Sequence, residues 1–95
     1  MNTQTVELTA EIIREGERGD CTGCPVALGL CEVVPGIWFV DAFSAQWNSE
    51  DYCEYKEYEI APGLGDDIAA FDSTGTMSPM TLIIDHDAKT ITVQS

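Results

Sequence analysis

The sequence predicts a small α+β domain in which an antiparallel β-sheet packs against about three short helices. Three observations predict it. Stretches with apolar residues at helical spacing are interspersed with β-branched and aromatic runs that read as strands. Thr9 and Pro25 stand where helices open, as an N-cap hydroxyl and a first-turn proline. At 95 residues and 44% apolar content, the chain suits one core spanning residues 1–95, with no repeat, linker or low-complexity segment.

The elements follow in order. Thr5–Leu8 alternates polar and apolar residues and reads as a strand. Thr9 caps a short helix over "AEIIRE", with Glu11 in its first turn and Arg14 in its last, both favourable to the helix dipole, and Gly16 is expected to close it in the left-handed conformation. Glu17–Gly23 is a polar loop. Pro25 then opens "PVALGLCEVV", where Val26, Leu30 and Val33 or Val34 recur at helical spacing, and Ala27 and Gly29 leave room for a close neighbour. After Pro35 and Gly36, Ile37–Phe43 reads as a largely buried strand. A turn within Asn48–Asp51 leads to a strand over Tyr52–Ile60, with Tyr52, Glu54, Lys56, Tyr58 and Ile60 on one face and Cys53, Tyr55, Glu57 and Glu59 on the other. Neither face is cleanly apolar, which predicts an edge or half-exposed strand. "APGLGDDIAAFDSTG" is a third helix with Leu64, Ile68 and Phe71 on one stripe and Asp66, Asp67 and Asp72 on the others. Met80–Asp85 and Thr90–Gln94 form a hairpin that turns around His86.

Charge narrows the function. Seventeen Asp and Glu face four Lys and Arg, a net of −13 on a folded body. Such a surface repels nucleic acid and anionic membranes and attracts basic partners or cations. No apolar run approaches the roughly 18 residues of a membrane span, and the N-terminus lacks the basic-then-apolar pattern of a secretory signal. The expectation is a cytoplasmic protein with reduced thiols.

Three of the four cysteines fall within "GDCTGCPVALGLC". Cys21 and Cys24 have the spacing of one zinc-ligand pair, but neither Cys31 with Cys53 nor either of them with His86 supplies a second close pair. As a redox dithiol the order is wrong, because Pro25 follows the pair instead of separating it. The favoured reading makes Cys24 and Cys31 small buried residues on one helix face, with Cys21 in the loop beside them. His86 reads as a solvated turn histidine. "DHDAKT" lacks the central glycine and the closing glutamate of a calcium loop, no G-x-S-x-G elbow frames a serine, and "PGLGDD" has acids where a phosphate would lie. The chain is therefore read as a non-enzyme without cofactor or metal.

Two blocks carry a resemblance. "VELTAEIIREGERGDCTGCPVALGL" (6–30) and "IAPGLGDDIAAFDSTGTMSPMTLIID" (60–85) resemble a group of small phage-encoded proteins with a strand, a short glycine-ended helix, a G-x-C-x-x-C-P-V-A-L segment and a later proline-led helix. Residues 31–59 and the last strand depart from that group. The resemblance implies a phage origin and an α+β fold and assigns no reaction; the nearest functional class is that of small acidic phage proteins that bind host defence machinery, the anti-CRISPR proteins among them.

With that class in view, the carboxylates become the candidate site. Glu50, Asp51, Glu54, Glu57 and Glu59 fall within ten residues. On a strand, Glu57 and Glu59 project from one face about 6.6 Å apart, comparable to successive phosphates along a nucleic-acid strand. Asp66 and Asp67 extend the track if helix and strand pack as neighbours. The expected partner is the basic nucleic-acid-binding groove of a host CRISPR effector complex, blocked by imitation of DNA. The alternatives are a phage accessory or structural protein whose acidity maintains solubility, and a zinc module using Cys21, Cys24, Cys31 and Cys53.

Overall fold

A computed structural model describes residues 2–18 and 20–94; Gly19, in the loop predicted over Glu17–Gly23, lies outside them. Alternation and helical spacing resolve into β1 (Thr3–Leu8), α1 (Ala10–Glu15), α2 (Pro25–Val33), β2 (Ile37–Val40), β3 (Ser44–Asn48), β4 (Tyr55–Ile60), α3 (Pro62–Thr74), β5 (Met80–Asp85) and β6 (Thr90–Val93). The fold is α+β. Its six strands form one sheet in the order β1-β5-β6-β4-β3-β2.

All strand pairs are antiparallel except β4 with β6, which run parallel and meet only at Glu59↔Thr90 and Ile60↔Ile91. That parallel pair was not anticipated. It arises because α3 carries the chain from β4 to β5, laid one position further out, and the hairpin brings β6 back between them. By order β4 is an interior strand, yet Tyr55–Tyr58 pair with β3 alone.

One face of the sheet holds the core: Val6, Leu8, Leu82, Ile84, Ile91, Ile60, Tyr58, Ala45, Val40 and Trp38 are all buried. Against it lies α2, which packs on both β1 and β2, the two outermost strands. Reaching both edges requires the sheet to curl around the helix. The approach is close because Gly29 has no side chain: a Cβ there would fall 2.4 Å from Leu8 Cδ2 and 3.2 Å from Val6 Cγ1. Pro25 sits at the start of α2 as expected, and Cys24 is its N-cap, with Sγ accepting from the Ala27 N–H at 3.5 Å. The stripe of α3 is also as read, with Leu64, Ile68 and Phe71 buried and Asp66, Asp67 and Asp72 exposed.

Three local expectations are corrected. The strand predicted over Ile37–Phe43 stops at Val40, because the Asp41 carboxylate accepts from the amide N–H groups of Phe43 and Ser44, both at 2.7 Å, and turns the chain into β3. The strand predicted from Tyr52 begins at Tyr55, since residues 49–54 close on themselves: Ser49 N–H donates to the Glu54 carbonyl and Tyr52 N–H to the Ser49 carbonyl. Gly16 is extended (φ −69°, ψ 149°) and not left-handed, its N–H donating to the carbonyls of Ile12 and Ile13.

Gly65, one turn into α3, touches the backbone of the β2–β3 turn: a Cβ would lie 2.2 Å from the Ala42 carbonyl oxygen. A main-chain atom cannot swing aside as a side chain can. Gly65→Ala is expected to cost about 2 kcal/mol, at the middle of the overpacking range, lowering Tm by roughly 8–16 °C in a domain of this size. Gly63→Ala, where nothing lies within 4 Å, is the control. It should leave Tm unchanged or raise it by the equivalent of up to about 1 kcal/mol; thermal melts of the two variants check both expectations.

Candidate partner-binding surface

The pleat of β4 sorts its side chains. Tyr58 and Ile60 point into the core, while Tyr55, Glu57 and Glu59 are exposed on the opposite, uncovered face. Glu57 lies opposite Gln46 and Glu59 opposite Ser44 on β3. The Tyr55 hydroxyl donates to Glu57 Oε2 at 3.1 Å, and this bond to a carboxylate raises the phenol pKa above its ordinary value.

The structure brings three of the seven predicted carboxylates together. Glu57 and Glu59 line a depression of about 420 Å³ with Phe43 and Lys89. Glu59 and Asp66 line a second, of about 410 Å³, with Phe43 and Gly65. Asp67 is exposed on α3 but lines neither. Glu50, Asp51 and Glu54 sit in the 49–54 loop, at the end of β4 remote from Glu59. Asp51 is committed to that loop: its Oδ1 accepts from the Ser49 hydroxyl at 2.6 Å and from the Cys53 N–H at 3.1 Å. These bonds, the hydroxyl first, hold its pKa below the usual carboxylate value.

Two features were missed. Phe43, assigned to a buried strand, is 82% exposed at the tip of the β2–β3 turn. Asp41, two residues earlier, is the signal that could have ended the strand there. A third, separate acidic depression, of about 460 Å³, is lined by Glu7, Glu11, Glu15 and Glu32. Its clue was Glu11 and Glu15, a like-charged pair one helical turn apart, which is locally unfavourable.

The cysteines separate. Cys24 is buried, and burial raises its thiol pKa, but Cys31 is exposed, contrary to the shared face expected. Seven residues match two turns only inside a helix, and Cys24 is the extended cap before it (φ −70°, ψ 160°). Cys21 and Cys53 are exposed too, and among the described residues no group of three or more Cys, His, Asp and Glu is arranged to hold a metal.

His86 is also corrected. It is half-buried, with Nδ1 2.8 Å from the Tyr58 hydroxyl and Nε2 2.6 Å from Gln4 Oε1. The Gln4 oxygen can only accept, so the neutral ring carries its proton on Nε2 and receives the Tyr58 O–H at Nδ1. Burial, then the positive charges of Lys56 and Lys89, lower its pKa.

Comparison with protein-family models, with curated proteins and with solved structures gives no match. Among the described residues, no helix is long and apolar enough to cross a membrane.

Two outcomes follow from these charges. Adding salt from 0.01 to 0.1 M shortens the Debye length from about 30 to about 10 Å, and with a net −13 the melting temperature should rise, by roughly 4–8 °C for each kcal/mol of repulsion relieved. A salt-independent Tm would mean the charges are compensated. For His86, NMR of the imidazole ring carbons should give a titration below the ordinary value of about 6.5 and the Nε2–H tautomer. The stability due to the neutral ring is complete above that ordinary value and is lost as pH falls through it toward the lower folded-state pKa.

Proposed function

We propose that the chain is a phage-encoded acidic inhibitor of the anti-CRISPR kind, acting in the host cytoplasm by imitating DNA and occupying the DNA-recognition groove of a host CRISPR effector complex. The observation that carries the reading is the pair Glu57 and Glu59, both exposed on one face of β4, on a body of net charge −13; the strand repeat sets such side chains about 6.6 Å apart, close to successive phosphates. It works by binding and not by chemistry. A surface of this sign is steered toward lysine- and arginine-lined grooves and away from nucleic acid itself. Self-repulsion of this size costs a small domain stability, which favours a use for the charge beyond solubility.

The test is competition. With a panel of purified CRISPR effector complexes and labelled target DNA, the protein should displace DNA from at least one. Its apparent affinity should fall with salt, though less steeply than that of DNA, because a folded acidic surface lacks the condensed counterions whose release drives DNA binding. The double reversal Glu57→Lys with Glu59→Lys should weaken inhibition about tenfold or more while leaving Tm equal or higher. Reversal of Glu11 and Glu15, on the other acidic depression, should matter less. An inhibitor that leaves DNA bound and blocks only cleavage, or one indifferent to Glu57 and Glu59, would show that DNA imitation is the wrong mechanism.

A further inference from the structure

A track of carboxylates alone would imitate a duplex, whose bases are stacked inside and whose outer surface is phosphate. This surface carries something a duplex does not present. The Phe43 ring is 82% exposed, more than any other large hydrophobic residue among the described residues, while its backbone is tightly held. Its N–H donates to Asp41 Oδ1 at 2.7 Å, its carbonyl accepts from the Ile60 N–H at 3.0 Å, and the Asp41 N–H closes the turn onto the Ser44 carbonyl at 2.9 Å. The ring is thus offered to solvent from a fixed mount. It stands where the two depressions meet, with Glu57 lining one, Asp66 the other and Glu59 both.

A planar ring flanked by anions is the pattern of an unpaired nucleotide. Proteins that hold single strands combine a basic groove for the backbone with aromatic or guanidinium faces on which bases stack. Resting on the acidic-inhibitor reading above, we propose that Phe43 takes the place of an unstacked base and Glu57, Glu59 and Asp66 the places of flanking phosphates, so that the partner surface is a protein groove built for single-stranded nucleic acid. The carboxylates bring the protein to such a groove by charge. Phe43 fixes the register and rejects grooves that bind only duplex backbone.

The probe is a bacterial single-stranded-DNA-binding protein of the OB-fold type holding fluorescein-labelled oligo-dT, with a helix-turn-helix repressor on labelled duplex operator for contrast. Displacement followed by anisotropy should occur on the first probe at concentrations about tenfold or more below those needed on the second. Phe43→Trp should displace as well as the wild type, whereas Phe43→Leu, similar in apolar bulk but without a ring face, should be about tenfold weaker. Phe43 is not part of the core, so both variants should melt like the wild type. Equal potency of Phe43→Leu, equal displacement of the duplex, or no displacement of oligo-dT would overturn the inference. If Phe43→Leu displaces oligo-dT as well as the wild type while the Glu57→Lys, Glu59→Lys double variant still loses inhibition of an effector complex, this inference alone falls and the acidic-inhibitor reading stands.

Discussion

The structure depends on the packing of α2 inside the curl of the sheet. A helix that touches both outer strands closes the sheet around itself, and it can do so only with small residues along the contact, Ala27 and Gly29, between the larger Val26 and Leu30. Everything on the candidate surface is fixed downstream of that contact. Because β2 is held against α2, the β2–β3 turn has a fixed height. That turn receives α3 at Gly65, and α3 so placed brings Asp66 beside Glu59. The candidate surface is thus a consequence of core packing two steps removed, and not of any direct bond among its carboxylates.

Polar groups tie the same frame together where apolar packing leaves it open. Both indoles donate to the segment after α2, Trp38 Nε1–H to the Val34 carbonyl at 2.9 Å and Trp47 Nε1–H to the Pro35 carbonyl at 3.0 Å, which pins β2 and β3 to the helix end. On the other side, Tyr58, His86 and Gln4 link β4, the β5–β6 turn and β1 through two hydrogen bonds. A side chain as large as Tyr58 is tolerated at 1% exposure because its hydroxyl has this partner. The neutral form of His86 is needed for that role, since only an unprotonated Nδ1 can accept the phenol proton.

Much of this was legible in the sequence, for identifiable reasons. The stripe Leu64, Ile68 and Phe71 is a periodic pattern set by burial on one side, and it survives into the structure unchanged, whereas in β6 only Ile91 is buried and Val93 is exposed. The shared face of Glu57 and Glu59 was legible from strand alternation alone, although neither face of that strand reads as apolar. What was not legible depends on a single side chain finding its own backbone: Asp41 ending β2, Asp51 and Ser49 folding the loop that delays β4, and Cys24 capping α2 instead of joining it. Each removed a residue from the element to which periodicity assigned it. Asp66 could be joined to Glu59 only once the packing of α3 on the turn was known, because no local pattern spans residues that meet through a third element.

The seven carboxylates proposed from sequence are therefore not equivalent, and the difference is one of commitment. Asp51 Oδ1 is committed to its loop, so turning that oxygen to a partner would cost the bonds that shape the loop. Glu57 and Glu59 have no such duty to the backbone; their positions come from a strand anchored by Tyr58 and Ile60 beneath. Repulsion between them is borne by the core, already present in the free protein, and is relieved when cations approach. On the proposed reading, a surface arranged in this way would enter a basic groove without reorganising, which removes one of the usual entropic costs of association. The exposed ring of Phe43 follows the same logic, because three hydrogen bonds fix the turn that carries it before any partner arrives.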